Sequence, residues 1–96
     1  LFISGAAGNM GSIAGQIGRL MGLRVVGSAG GPAKCRYLTE ELGFDAAFDY
    51  KAEPDLAAAL RRVCPEGIDI YYDNVGGPML EAVLDNIRPR ARIVMN

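Results

Sequence analysis

The first thirty residues carry the pattern that decides the fold, LFISGAAGNMGSIAGQIGRLMGLRVVGSAG (1–30). The run LFISG (1–5) is short, apolar and stopped by glycine, which predicts a buried strand. Residues 10–21 have the spacing of a helix that ends at Gly22. The apolar stripe of this helix consists of Ile13, Ile17, Leu20 and Met21. RVVGSA (24–29) predicts a second strand, so the segment reads as a strand–helix–strand unit.

The same alternation continues along the rest of the chain. Further helices are predicted from Pro32 to Gly43, from Pro54 towards Gly67, and from Pro78 to Ile87. Further strands are predicted at AAFDY (46–50), IDIYYDN (68–74) and ARIVM (91–95). Strands that alternate with helices imply right-handed crossovers and a mostly parallel sheet. The sequence therefore predicts an α/β domain, a doubly wound parallel sheet with helices on both faces.

Composition and charge exclude several classes of protein. The chain has 96 residues, enough for one domain, and 50% of them are hydrophobic. Ten basic and eleven acidic residues give a net charge of −1, which argues against a nucleic-acid partner. No apolar run reaches the roughly 18 residues of a membrane span, and no signal-peptide pattern is present. Neither nucleic acid nor a membrane is expected as a partner.

The residue types that the sequence lacks limit the chemistry it can perform. There is no histidine, which removes Ser-His-Asp and Cys-His catalysis and most zinc sites. No catalytic residue and no metal ligand are therefore assigned. Cys35 and Cys64 are expected to be free buried thiols of a reducing, cytoplasmic environment. Leu1 already lies in a strand-like run and Asn96 directly follows RIVM, so we expect a fragment of a longer protein, cut after the fifth strand.

The glycine turn SGAAGNMGS (4–12) follows the first predicted strand and opens the first helix. In doubly wound sheets this turn is the usual site for the phosphates of a nucleotide. Gly8 fits the position where the backbone approaches a pyrophosphate, and Gly11 the position where helix and strand pack closely. Ala6 replaces the first glycine of the GxGxxG fingerprint. The alternative is a turn whose glycines only pack, which is our interpretation of Gly15 and Gly18.

The end of the second predicted strand favours NADP over NAD. NAD sites place an acidic residue there to bind the ribose 2′-hydroxyl. No acidic residue occurs between Gly11 and Glu40, whereas Lys34 lies just after the strand. A 2′-phosphate is repelled by a carboxylate and attracted by a lysine. The alternative is that Lys34 is an ordinary solvated helix residue, the interpretation we prefer for Arg36.

Four blocks of the sequence resemble a known family. SGAAGNMGSIAGQIGRL (4–20), the lysine run KCRYL (34–38), ELGFDAAFDYK (41–51) and IDIYYDNVGG (68–77) are similar to the cofactor domain of zinc-independent medium-chain dehydrogenase/reductases. The closest branch is that of prostaglandin reductases and alkenal double-bond reductases. The match spans essentially the whole chain. It implies a Rossmann-type NADP-binding domain over residues 1–96, with the catalytic domain elsewhere.

The resemblance also implies an activity and a cofactor site. The activity is NADPH-dependent reduction of the carbon–carbon double bond of an α,β-unsaturated ketone or aldehyde, such as a 15-oxoprostaglandin or an alkenal. The pyrophosphate of NADP(H) would lie on the backbone of Gly8, Asn9, Met10 and Gly11. By the same resemblance, Lys34 pairs with the 2′-phosphate, and Tyr50 and Asn74 contact the cofactor. Tyr50 could instead be a cap on the sheet rim, and Asn74 could instead form an Asx-type turn.

Several points stay open at the level of sequence. Gly31-Pro32 stands where the family usually has a small hydroxyl residue, a loss of about 1 kcal/mol in phosphate binding. The alternative functions are a quinone oxidoreductase or enoyl reductase of the same superfamily, and a nucleotide-binding module without chemistry of its own. Members of the family tend to form homodimers, so the resemblance implies a homodimer of the complete protein as well.

Overall fold

The computed structural model describes residues 1–95, which form one parallel five-stranded sheet. The strands are β1 (Phe2–Ile3), β2 (Val26–Ala29), β3 (Ala46–Asp49), β4 (Ile68–Asp73) and β5 (Ile87–Met95). The helices are α1 (Asn9–Leu20), α2 (Pro32–Arg36), a π-helical turn (Tyr37–Glu41), α3 (Leu56–Val63) and α4 (Gly77–Leu84). The order across the sheet is β3-β2-β1-β4-β5, which confirms the doubly wound fold.

Each face of the sheet has its own hydrophobic core. Because neighbouring residues of a strand point to opposite faces, Phe2 belongs to one core and Ile3 to the other. The Phe2 core takes side chains from α3 and α4, and the Phe2 ring stacks on Phe48 and on Tyr71. The Ile3 core is closed by α1, α2 and the π-helical turn, which supplies Leu38. Helices therefore cover both faces, as predicted.

Helix α1 forms where expected but turns the predicted stripe outwards. An apolar stripe ordinarily faces the core, yet the side chains predicted to form it are exposed, with Leu20 at 88%. The buried residues of α1 are Gly11, Gly15 and Gly18. A Cβ on Gly18 would lie only 2.6 Å from Leu1. The glycine face of α1 therefore packs inwards: side chains such as Phe44 and Leu1 press against Gly15 and Gly18, and backbone meets backbone at Gly11.

Helices α3 and α4 depart from the predicted boundaries. Pro54 does not open a helix, because Asp55 caps α3 by accepting a hydrogen bond from the main-chain N–H of Ala58 at 3.2 Å. Helix α4 ends before Ile87, because the Asn86 side chain donates to the Ala82 carbonyl at 3.0 Å and ends the helix there. Ile87 instead begins β5, whose register shifts between its pairings with Ile68 and Ile70.

Candidate functional site

A cavity of about 250 Å³ lies at the carboxyl ends of β1, β2 and β3. Gly5, two residues after β1, has φ +59°, a conformation that favours glycine, and directs the chain into the turn before α1. The main-chain N–H of Ala6 then donates to the Ser28 carbonyl at 3.0 Å, which ties this turn to β2. The lining residues include Gly5, Gly8, Ala29, Gly30, Lys34 and Tyr50.

Gly8 and Gly11 are glycines for different reasons. Gly8 has φ −75° and ψ 172°, which any residue adopts. A Cβ there would make only an ordinary contact, 3.6 Å from the Gly5 carbonyl oxygen. A Cβ on Gly11 would lie 2.8 Å from the Cα of Ala6, so helix packing requires glycine at that position. The protein itself does not require glycine at position 8, where a side chain would only take space from the cavity.

The structure brings some of the expected site residues together and places others apart. Gly8, Lys34 and Tyr50 line the same cavity, although they come from three separate segments of the chain. Asn9 and Met10 form the exposed first residues of α1 beside it. Gly11 lies on the buried face of α1. Asn74 is hydrogen-bonded to Ser4, the residue that follows β1. The cofactor roles of these seven residues remain predictions.

Asn74 belongs to a hydrogen-bonded connection between β4 and β1. Its side-chain N–H donates to the Ser4 carbonyl at 2.7 Å, and its main-chain N–H donates to Ser4 Oγ at 3.0 Å. The turn that follows is formed by Asp73, not by Asn74. Asp73 Oδ1 accepts the main-chain N–H groups of Val75 at 2.9 Å and Gly76 at 2.6 Å. The loop after β4 is thereby fixed beside the glycine turn, and Val75 itself lines the cavity.

The buried Tyr71 side chain also takes part in this connection between β4 and β1. Its hydroxyl lies 3.0 Å from both Ser4 Oγ and Asp73 Oδ1. Since a phenol has one proton, the arrangement is satisfied when Tyr71 donates to the carboxylate and Ser4 donates to Tyr71. Burial raises the pKa of Tyr71, and the Asp73 carboxylate raises it further. Burial also raises the pKa of Asp73, but hydrogen bonds from the main-chain N–H groups of Gly76 and Val75 and from the Tyr71 hydroxyl outweigh it and lower that pKa overall.

Sequence reasoning missed the structural part of this site. Tyr71 and Asp73 fall within the predicted strand IDIYYDN (68–74), and no motif in the sequence singles out either residue. The alternation along β4 does place positions 71 and 73 on one face. Ser4 ends a neighbouring strand, and its contact with that face follows from the pairing of β1 with β4. Strand order, which the sequence did not predict, was the missing information.

Asp49 is a carboxylate near the cavity that the sequence argument also missed. It comes from the end of β3, outside the acid-free stretch between Gly11 and Glu40. Its Oδ1 accepts the main-chain N–H groups of Gly31 at 2.9 Å and Lys51 at 3.0 Å. The carboxylate therefore serves to hold two loops together, and both of its N–H partners offset its charge.

Within residues 1–95, no three His, Cys, Asp or Glu side chains are grouped so that they could hold a metal ion. Over the same residues, no helix combines the length and the apolar character needed to cross a membrane. Cys35 is half-buried and Cys64 is buried, and both are free thiols. Burial raises the pKa of each thiol, so neither has the character of a reactive thiolate.

The fold and the glycine-lined cavity define a nucleotide-binding α/β domain, and comparison with known proteins gives its family. The sequence profile of the family described as zinc-binding dehydrogenases matches residues 10–96. The chain therefore belongs to this family. (+)-Pulegone reductase of Mentha piperita is 52% identical over 95 residues, which are 99% of this chain and 28% of that protein. The NADP(+)-dependent 2-alkenal reductase of Nicotiana tabacum is 50% identical, with the same coverage of both chains.

A solved structure agrees with these relatives. The crystal structure of CurA from Vibrio vulnificus in complex with NADPH matches with a TM-score of 0.91 and 48% identity, over 96% of this chain and 27% of that one. The resemblance to zinc-independent medium-chain dehydrogenase/reductases, in their alkenal reductase branch, is confirmed. The chain spans about 28% of the length of the curated relatives that it matches.

Proposed function

We propose that these residues form the NADP(H)-binding part of a longer oxidoreductase. The complete enzyme would reduce the carbon–carbon double bond of α,β-unsaturated ketones or aldehydes. One observation carries the proposal: Gly8, Lys34 and Tyr50 meet around one cavity at the carboxyl edge of the sheet. The relatives named as a 2-alkenal reductase and a pulegone reductase, and the NADPH complex of CurA, support the same substrate class and cofactor.

The residues present fit this cofactor. Gly8 leaves the space that a side chain would fill, and the first N–H groups of α1 are free to receive the pyrophosphate from the backbone of Asn9, Met10 and Gly11. Lys34 supplies a cation for the 2′-phosphate. Tyr50 borders the same space, and Asn74 holds the glycine turn against the loop after β4. When bound, NADPH supplies the hydride for the double bond.

This chain's own contribution is to bind and orient the cofactor. No residue of the chain is assigned to the substrate or to delivery of a proton, and we propose that the rest of the protein supplies both. Reduction of prostaglandin-type enones, a cytoplasmic location and a homodimeric complete protein belong to the same proposal. The free thiols Cys35 and Cys64 support a reducing compartment.

The test is oxidation of NADPH by the complete protein, followed by its absorbance at saturating cofactor. A panel of 2-alkenals, cyclic and open-chain enones, a 15-oxoprostaglandin and quinones separates the candidate reactions, with the saturated ketones as matched controls. We expect turnover of the enones and alkenals and none of the saturated ketones. Turnover of quinones alone would favour the quinone oxidoreductase alternative. Tight NADPH binding without turnover of any compound would favour a non-catalytic nucleotide-binding module.

A further inference from the structure

Lys51, which follows the third strand, lies beside Gly30 at the rim of the cavity. A Cβ placed on Gly30 would be 3.0 Å from Lys51 Cε, 3.3 Å from Lys51 Nζ and 3.2 Å from the Tyr50 hydroxyl. Gly30 and Tyr50 both line the cavity. The end of the Lys51 side chain therefore lies against Gly30, next to the cavity that Gly30 and Tyr50 line.

The backbone around Lys51 is fixed in this place. Asp49 Oδ1 accepts the main-chain N–H groups of both Lys51 and Gly31, at 3.0 and 2.9 Å. The N–H of Tyr50 donates to the Ala29 carbonyl at 3.2 Å, which extends the pairing of β2 with β3 by one residue. These bonds hold the turn after β3 against the loop after β2. The backbone of Lys51 is thus held beside Gly30 by hydrogen bonds at the ends of β2 and β3, whatever the conformation of its side chain.

Positive charge is concentrated at this point of the molecule. The sequence has two lysines, Lys34 and Lys51, and Gly30 is next to one and shares the cavity with the other. Within residues 1–95 neither ammonium group has a carboxylate within 4.0 Å. The nearby Asp49 carboxylate is already engaged by two main-chain N–H groups. Two cations beside one engaged carboxylate leave an excess of positive charge.

We propose that Lys51 is a second cation for the 2′-phosphate of NADP(H), acting together with Lys34. A phosphate monoester carries up to two negative charges and three terminal oxygens, so two lysines near it can each bind a different oxygen. Lys51 is then a specificity-determining residue, since an NAD ribose has no group for it to bind. This inference rests on the proposed function, because it requires an NADP site at the cavity.

The test measures nucleotide binding without any turnover. Calorimetry on the complete protein would use 2′,5′-ADP and 5′-ADP, which differ by the 2′-phosphate and contain no nicotinamide. Lys51→Gln removes the charge and keeps the length of the side chain. We expect it to weaken binding of 2′,5′-ADP about tenfold, the loss of one charge-assisted hydrogen bond, and to change binding of 5′-ADP less than twofold. Lys51→Arg keeps the charge and should retain most of the affinity.

Arg36→Gln is the matched control. It removes a cation from the exposed end of α2, two residues after Lys34, and unlike Lys51 this side chain is not among the nearest neighbours of Gly30. We expect less than a twofold change with either nucleotide, because screening weakens interactions between exposed charges. An effect of Arg36→Gln equal to that of Lys51→Gln would mean that only the general field matters, and would overturn a specific role for Lys51.

The remaining outcomes separate this inference from the proposed function. If the wild type prefers 2′,5′-ADP and Lys51→Gln retains that preference, the role of Lys51 is wrong and the NADP site stands. If Lys51→Gln weakens both nucleotides equally, its effect is structural and the inference is wrong. If the wild type does not distinguish the nucleotides, the proposed NADP site fails and the inference with it. Acetylation of wild-type Lys51, followed by mass spectrometry, gives an independent check that needs no variant: 2′,5′-ADP should protect it and 5′-ADP should not.

Discussion

Gly8 and Gly11 are three residues apart, but a side chain at each position has a different consequence. We expect Gly8→Ser to leave the free energy of unfolding within about 0.5 kcal/mol of the wild type, since Gly8 is the N-cap residue of α1 and serine is favoured at that position. The same change should weaken NADPH binding at least tenfold, because the side chain enters the cavity. Gly11→Ala should instead lower the free energy of unfolding by about 1–3 kcal/mol, because its Cβ meets backbone.

Denaturant unfolding and cofactor titration of both variants check this division of roles. Gly11→Ala is compared with Gly8→Ser for its effect on stability, because its Cβ would meet backbone and Gly11 does not line the cavity. Unchanged NADPH affinity in a folded Gly8→Ser protein would show that the cavity does not hold the pyrophosphate.

Lys34 carries the second prediction at this scale. We expect wild-type protein to bind NADPH more tightly than NADH, and Lys34→Ala to lose most of that preference. The loss should be roughly tenfold to hundredfold in NADPH affinity, the range for a hydrogen bond to a charged group, with little change for NADH. Parallel calorimetric titrations with both cofactors measure the effect. Equal affinity of the wild type for the two cofactors would contradict the assignment of Lys34.

The sequence predicted only the site residues that its linear order could indicate. Gly8 and Lys34 follow predicted strands and Tyr50 is the last residue of one, and ligands of such sheets bind outside the carboxyl ends of the strands. Lys51, Asp49 and Ser4 act through neighbours that are distant in the sequence, and their contacts depend on strand order and on the path of each turn. Such contacts are set by the packed structure and leave no local signal.

Among the elements, α1 shows why a periodic pattern did not give its buried face. Two sets of residues recur along this helix at helical spacing, glycines on one face and large apolar residues on the other. A hydrophobicity pattern assigns the burial to the larger side chains. The structure selects the glycine face, because Ala6, Phe44 and Leu1 lie so close to that face that a side chain on it would collide with them. The helix itself was predictable, whereas its orientation required the packing.

The turn after β4 depends on one buried carboxylate, and Asp73→Asn tests it. The pKa of Asp73 is lowered in the folded protein. Its contribution to stability is therefore present above its ordinary pKa of about 3.9 and is lost as the pH falls through the lower folded value. At neutral pH we expect Asp73→Asn to cost about 1–3 kcal/mol, because its hydrogen bonds lose their charge. Part of the wild type's acid destabilisation should disappear with it.

Asp69→Asn is the control on the same strand. Asp69 is exposed, with 62% of its side-chain surface accessible, so we expect its substitution to stay within about 0.5 kcal/mol of the wild type. Urea unfolding of the three proteins at several pH values between about 3 and 7 measures both effects. Equal stability of Asp73→Asn and Asp69→Asn at neutral pH would show that the turn is held by other contacts.

For the molecule as a whole, there is a cavity at each end of the sheet, and the topology distinguishes the two. A cavity of about 310 Å³ lies at the amino ends of the strands, beside Leu1, Arg24 and Cys64. The cavity of about 250 Å³ lies at the carboxyl ends, beside the point where strand order reverses. Ligands of open α/β sheets bind at that reversal because successive loops leave in opposite directions there. Position in the topology is therefore a better guide to the site than cavity volume.

The hydrogen bonds of Tyr71 to Ser4 and Asp73, which connect β1 and β4, should also limit the stability of the whole domain at alkaline pH. Burial and the Asp73 carboxylate raise the pKa of Tyr71 above its ordinary value of about 10. Tyr71 is neutral when the protein is folded, so its contribution is complete below pH of about 10 and is lost as the pH rises towards the folded pKa. We expect the free energy of unfolding to fall above that pH, and to fall less steeply in Tyr71→Phe, which has no proton to lose. Urea unfolding between about pH 8 and 11 compares the two slopes. Identical slopes would mean that Tyr71 does not link β1 to β4 through its neutral hydroxyl.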